Sequence, residues 1–259
     1  MKVSIITSCY NRAATIEGAI RSVFAQDYSD IEYIIVDGAS KDGSQVVIEA
    51  TIKDAPQNVT VKYISEPDKG MYEAINKGIR MATGEVIGLC HSDDFMFDDK
   101  VVSDYVHEFE RTGADFVYAD GIFVAEKDIT KSVRRWIGGE YSRWKVRHGW
   151  LPLHPTCYIK KDFMMRNGLY DETYKIAADS DLLVRYLLSP DIKVHYMKNR
   201  FTTRMRMGGM STDSSKRKKM WNEDIRVYSG YGFHFATLTK IEKMMWKIPQ
   251  FIMAKLKNA

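Results

Sequence analysis

Cysteine is scarce in this chain: Cys9, Cys90 and Cys157 stand far apart and odd in number, which excludes a disulfide framework and the paired spacing of a structural zinc site. A reducing, cytoplasmic setting is the expectation. No window approaches about 18 uninterrupted apolar residues, so no membrane-spanning helix is expected. The N-terminal MKVSIITSCYNR has a β-branched run too short for a secretory leader, and no small-residue cleavage site follows it. Internal repeats, low-complexity segments and Gly-, Pro- or Ser-rich linkers are also missing, which favours one compact domain. SCYNR follows the first apolar run where a dinucleotide fold would carry GxGxxG, and GxxxxGK[ST] occurs nowhere, so neither a Rossmann cofactor site nor a P-loop is expected.

What is present is an ordinary globular composition. With 45% hydrophobic and 28% charged residues, no stretch is poor enough in apolar side chains for extended disorder. The net charge of +4 is unevenly placed: Lys216 to Lys219 form a basic run, with Arg204 and Arg206 upstream. Such a run is either a solvated face or a site for phosphates or anionic lipid. No stacking aromatics are interleaved with it, so nucleic acid is not expected.

The first half alternates two periods. Val3 to Thr7 is β-branched, Ile16, Ala19, Ile20, Val23 and Phe24 recur at helical spacing, and Glu32 to Asp37 supplies a second strand. Further strands are expected at Val59 to Ile64 and Glu85 to Cys90, with a helix from Met71 to Ala82 between them. Apolar strands separated by helices predict an α/β fold with a mostly parallel sheet covered on both faces. Beyond it, the sequence predicts two strands in Asp115 to Ala125 broken at Asp120-Gly121, a strand at Thr156 to Lys160, a helix from Asp179 to Leu188 and a strand from Phe201 to Met207.

Ligands of such sheets bind beyond the carboxyl ends of the strands. The candidates are Ser8 to Arg12, Asp37 to Ser44, Glu66 to Gly70 and His91 to Asp94. Asp93 and Asp94 repel each other, and the crowding makes sense opposite a divalent cation or a ligand's hydroxyls. The plain alternative is a turn and cap before a helix starting near Asp98. Asp37 is either a turn former or an acceptor for a base or ribose.

Together these segments resemble a known family. VSIITSCYNR (Val3 to Arg12), IIVDGASKDGS (Ile34 to Ser44), SEPDKGMYEAINKG (Ser65 to Gly78), ATGEVI (Ala82 to Ile87) and HSDD (His91 to Asp94) are similar, in order, to the motifs of family 2 glycosyltransferases, which have the GT-A fold. His154-Pro155, Ile176 to Arg185 and Gly208 to Ser211 resemble later family positions. The resemblance implies that Ser8, Tyr10 and Asp37 meet the base, usually uracil, and that Lys69 approaches the ribose or diphosphate. It implies that Asp93 and Asp94 meet the ribose and a Mn or Mg ion. By the same resemblance Asp179 is the catalytic base, and His154 lines the acceptor and donor-sugar pocket. Where many members carry Asp-x-Asp-Asp this chain has His91 first, and Asp179 follows Ala178 where an acidic residue is common.

Those residue types suit the chemistry. Charge grows on the leaving diphosphate, where a metal ion and basic residues such as Arg204 and Arg206 stabilise it. A carboxylate opposite takes the acceptor hydroxyl's proton, and one base acting in line without an enzyme nucleophile implies inversion. Asp181 would point about 200° away from Asp179 on a helix; Asp179 as a mere helix cap is the plain alternative. The expected activity is transfer of a sugar from a nucleoside diphosphate, UDP foremost, to a glycan or lipid-linked acceptor, as in bacterial surface-polysaccharide synthesis. A sugar nucleotidyltransferase would need a Gly-rich basic loop in place of SCYNR; a non-catalytic nucleotide-sugar-binding protein would have no use for Asp37, Asp93, Asp94 and Asp179 together.

The expected layout is a domain over 1–235, with a nucleotide-binding half (1–97) and an acceptor-side half (98–235), then a basic amphipathic helix over 236–259. Ile241, Met244, Met245, Ile248, Phe251, Ile252 and Leu256 share one helical face, with Lys240, Lys243, Lys247 and Lys257 mostly opposite and Pro249 interrupting. Such helices lie on anionic membrane surfaces, which predicts peripheral contact with the inner face of the plasma membrane; packing on the domain or a second subunit is the alternative.

Overall fold

The computed structural model describes residues 1–208, 217–233 and 235–246, with 248 and 250. Four parallel strands form its first half: β1 (Val3–Cys9), β2 (Ile31–Asp37), β3 (Val59–Ser65) and β4 (Val86–Leu89). Helices α1 (Ile16–Phe24), α2 (Ser44–Thr51) and α3 (Met71–Met81) connect them. The apolar spacing of α1 has the expected outcome: Ile16, Ala19, Ile20 and Val23 are buried, the three larger side chains each contributing about 1.5–3 kcal/mol. At Gly78 a Cβ would come within 2.5 Å of Ile6 Cγ2, so only glycine lets α3 lie so close on β1.

The second half adds β5 (Phe95–Met96), α4 (Val101–Thr112), β6 (Phe116–Val124), β7 (Ser132–Trp136), α5 (Arg143–Arg147), β8 (Tyr158–Lys160), α6 (Lys161–Asn167), α7 (Ala178–Leu187), β9 (Val194–Arg206), α8 (Arg217–Gly230) and α9 (Ala236–Met245). One sheet runs in the order β3-β2-β1-β4-β8-β6-β9-β5, with β7 paired to β6. Antiparallel pairing at β4–β8, β6–β8, β6–β7 and β5–β9 makes it mixed. Buried apolar side chains fill both faces, one cluster under α3 and α7, the other under α1 and α4. The three cysteines are free and buried.

Three expectations are corrected. The two strands expected over Asp115 to Ala125 are one, β6: register shifts around Asp120 absorb the Asp-Gly pair as an irregularity against β9. The cap expected for a helix near Asp98 does not involve the paired aspartates, since β5 intervenes and α4 begins at Val101. The third concerns α9. Lys240 and Lys243, expected on an outward cationic face, turn into the protein: Lys240 Nζ pairs with Asp224 Oδ2, and Lys243 Nζ donates to Asp224 Oδ1 at 2.8 Å. Asp224, in α8, is almost wholly buried, and a buried carboxylate is tolerated only with such partners. The resemblance at Gly208 to Ser211 and the basic residue Lys216 fall, apart from Gly208, outside the described residues.

Candidate active site

The carboxyl ends of β1 and β2 are stitched together by side chains of their loops. Asn11 N donates to Ser40 Oγ, Arg12 N to Ser44 Oγ and Ala13 N to Asp42 Oδ2, while Lys41 N donates to Asn11 Oδ1. Asn11 and Ala39 accept left-handed backbone angles there. Asp37, at the end of β2, is fully buried, and its carboxylate receives Ser40 N at 3.0 Å, Ser40 Oγ at 2.5 Å and Ser65 Oγ at 2.7 Å. It therefore fixes the floor of this corner. Above it, Tyr10 is well exposed and Asp68 lies close: a Cβ at Gly38 would meet Asp68 Oδ2 at 2.6 Å and Tyr10 Cδ2 at 3.3 Å. Burial raises the Asp68 carboxyl above its usual range. Asp68 belongs to the candidate stretch Glu66 to Gly70, and its half-buried side chain is one of the groups bordering the open side. Ser8 is buried in β1, and Lys69 is exposed on the loop after β3.

The HSDD turn follows β4. Asp93 is half-buried, whereas Asp94 is buried, accepts Arg206 N at 3.0 Å on Oδ1, and has no hydrogen-bond partner on Oδ2. Burial first, then Asp93, raises the Asp94 carboxyl well above its ordinary value. Two adjacent carboxylates with an unsatisfied buried oxygen offer hard oxygen donors of the kind Mg and Mn take. Among the described residues no group of three or more His, Cys, Asp or Glu is placed to hold an ion. The turn alone supplies two carboxylates, fewer oxygen donors than such an ion takes. Arg206 reaches the turn through its backbone amide and through Nε, which donates to Asp93 O at 3.4 Å, while its guanidinium lies over Phe95 and also donates to Glu126 O at 2.8 Å. Arg204 lies over Phe97.

His91 carries the site into the second half. Its ring stacks 6.0 Å from that of His154, whose Nε2 is 2.7 Å from the Tyr170 hydroxyl. Burial, and then His91, lowers the His154 imidazole to about 3, so it is neutral at ordinary pH. Tyr170 stacks on Tyr72, and Tyr72 donates to Ile176 O at 2.7 Å. Tyr72, Tyr170 and Cys157 all feel the charge of Asp179. Asp179 lies in the first turn of α7, half-buried, without serving as its N-cap. Asp181 is occupied by Tyr231 at 2.9 Å and Arg185 at 3.3 Å.

Two groups behind Asp179 escaped the sequence reading. Glu223 accepts the backbone amides of Lys175, Ile176 and Ala177, the last two at 2.8 and 3.0 Å, and so fixes the strand of loop that feeds α7. Lys243 reaches Ser180. Neither has a local signature, because α8 and α9 return to α7 from far along the chain.

Residues 4–174 match the family described as Glycosyl transferase family 2. An uncharacterized glycosyltransferase of Nostoc sp. is 44% identical over 94 residues, covering 36% of this chain and 29% of that relative. A PGL/p-HBAD biosynthesis glycosyltransferase of Mycobacterium bovis is 25% identical over 80% of this chain and 78% of its own length. Among solved structures, S. aureus TarS 1–349 in complex with UDP-GlcNAc superposes with a TM-score of 0.70 at 17% identity, covering 98% of this chain and 79% of that one. The mannosyltransferase PcManGT of Pyrobaculum calidifontis, with GDP-Man and Mn2+, gives 0.62 at 16% identity over 98% and 73%. The fold is that of GT-A glycosyltransferases. With about two thirds of its length matched, the chain belongs to glycosyl transferase family 2.

Proposed function

We propose that this chain transfers a hexosyl or N-acetylhexosaminyl group from a nucleoside diphosphate, UDP foremost, to a glycan or lipid-linked acceptor, with inversion. The observation that carries the reading is the run of contacts from the HSDD turn through His91, His154 and Tyr170 to the surroundings of Asp179. Likeness to TarS, solved with UDP-GlcNAc, and to PcManGT, solved with GDP-Man and Mn2+, supports a nucleotide-sugar donor and a divalent metal. Likeness to the PGL/p-HBAD relative supports a biosynthetic role.

In this reading residues 1–97 hold the nucleotide. Tyr10 and Ser8 border the base over the floor built by Asp37, and Lys69 reaches for the ribose or diphosphate from its exposed loop. Asp93 and Asp94 would hold Mn or Mg, which supplies positive charge to the leaving diphosphate. Arg204 and Arg206 add basic charge nearby. Residues 98–235 receive the acceptor. Asp179 takes its hydroxyl proton, and neutral His154, fixed by Tyr170, lines the sugar pocket. The C-terminal segment 236–259 keeps the enzyme on the inner, cytoplasmic face of the plasma membrane. No described helix is long and apolar enough to cross a membrane.

Thermal-shift screening of nucleotide sugars with and without Mn tests the reading. A ligand at about 100 times its Kd adds about 2.7 kcal/mol, a shift of roughly 5–10 °C for a chain of this size. UDP or a UDP-sugar is expected to give it in the presence of Mn; no shift from any nucleoside diphosphate or its sugar would overturn the reading.

A further inference from the structure

Asp224, Lys240 and Lys243 form a buried cluster with one positive charge in excess, since two ammoniums share a single carboxylate. The second carboxylate whose charge both ammoniums feel is Asp179. Lys243 makes the direct link: its Nζ donates to Asp224 Oδ1 at 2.8 Å and to Ser180 Oγ at 2.9 Å, and Ser180 follows Asp179 in α7. Its side chain is only 14% exposed, so its attraction for Asp179 passes through protein and is little screened by salt. Two contacts seat α9 where this is possible. Gly149, at φ 76°, lies so close under the helix that a Cβ would come within 2.5 Å of Thr239 O and 3.0 Å of Lys243 Cβ, and Trp246 Nε1 donates to His148 O at 2.8 Å.

Other surroundings oppose a charge on Asp179. Tyr72 on α3, Cys157 before β8, Tyr170 after α6 and Tyr228 on α8 are buried and uncharged, and all four feel it. Glu223 adds a like charge at the loop that feeds α7. On α7 itself Asp181 is engaged by Arg185 and Tyr231. Low polarity and a like charge both drive a carboxyl toward its protonated form, in which it cannot take a proton from an acceptor. The amino end of α7 and the surplus cation of α9 work the other way. We propose that Lys243 is a positioning residue for sugar transfer: its ammonium is the counter-charge that keeps the Asp179 carboxylate ionised, and its bond to Ser180 holds the first turn of α7. Helix α9 thereby completes the active site from behind. The proposal rests on Asp179 acting as the base in the function proposed above.

The test joins urea unfolding of Asp179→Asn, Lys243→Met and the double variant with the pH profile of UDP release from a UDP-sugar. Lys243→Met leaves Asp224 paired one to one with Lys240, so the fold is expected to survive. Lys243→Gln, which keeps a donor for Ser180 without the charge, takes its place if Lys243→Met does not fold. At about pH 7 the factor by which Asp179→Asn lowers the folding constant should be about fivefold or more greater with Lys243 present than in the Lys243→Met background. The acid limb of kcat should move up by about one pH unit in Lys243→Met, with KM for the donor within about twofold of wild type, and Lys243→Arg should restore it. A merely structural lysine would lower kcat alike at every pH. Equal effects of Asp179→Asn in the two backgrounds, or an acid limb that stays in place in the folded neutral variant, would overturn the proposal. Coupling in the unfolding curves without turnover of any nucleotide sugar would uphold the counter-charge and sink the assigned activity instead.

Discussion

Lys243 Nζ donates to Ser180 Oγ at 2.9 Å, which ties the last turn of α9 to the residue following Asp179. The same ammonium shares Asp224 with Lys240. Burial opposes charge at Asp224, but the two ammoniums outweigh it and hold the carboxyl below its usual range. Asp224→Ala would leave two buried cations facing each other. The expected cost is about 3–5 kcal/mol, read from urea unfolding curves; a loss below about 1 kcal/mol would show that the lysines find other partners.

Glu223 holds three consecutive amides ahead of α7. Removing it leaves those donors without their acceptor and loosens the turn that aims Asp179. For Glu223→Ala we expect kcat to fall by about tenfold or more while KM for the donor stays put, with stability lower by about 1–3 kcal/mol. Glu223→Gln, which keeps one acceptor oxygen, should recover part of kcat; equal losses in kcat and donor affinity would contradict a positioning role.

The unpaired Oδ2 of Asp94 makes a separate prediction. Asp94→Ala should abolish the part of the UDP-induced thermal shift that depends on Mn; because it also removes the Oδ1 acceptor of the Arg206 amide, the free protein is expected to lose about 1–3 kcal/mol of stability. An unchanged Mn-dependent shift would remove Asp94 from the ion site.

Glu32 supplies the pH dependence. Burial pushes its carboxyl up, but Lys62, Ser4 and Thr83 more than offset this and lower it from 4.5 to about 2. A folded value below the unfolded one gives stability that is full above about pH 4.5 and is lost as pH falls toward about 2, worth roughly 3 kcal/mol. Glu32→Gln should therefore be less stable than wild type by about that amount at about pH 7, with the gap closing near pH 2. Urea midpoints across that range check the sign; a gap that widens on acidification would contradict it.

How much was legible in the sequence follows the range of the interactions. β1 to β4 were readable because burial on both faces gives each strand a continuous apolar run, and the helix spacing survives in Ile16 to Val23. Asp93, Asp94 and Asp179 stood out because they lie in short, local motifs that resemble those of a known family. The single strand β6 was not, since Asp-Gly reads as a turn and only pairing with β9 keeps it extended. The bonds of Asp37 to Ser40 and Ser65 were not readable, because they have no sequence pattern. The lysines of α9 misled for the same reason: periodicity separates two faces, and only the buried partner Asp224, more than ten residues away, decides which one turns inward.

The most direct test of the central claim is the Asp179→Asn variant, assayed for UDP release from the donor in the presence of acceptor and for donor binding by thermal shift. Asn keeps the shape and cannot take a proton, so turnover is expected to fall by about 10²–10⁴-fold while the donor-induced shift stays within about 1 °C of wild type. Full turnover by Asp179→Asn, or loss of donor binding in step with activity, would contradict Asp179 as the base of an inverting transfer.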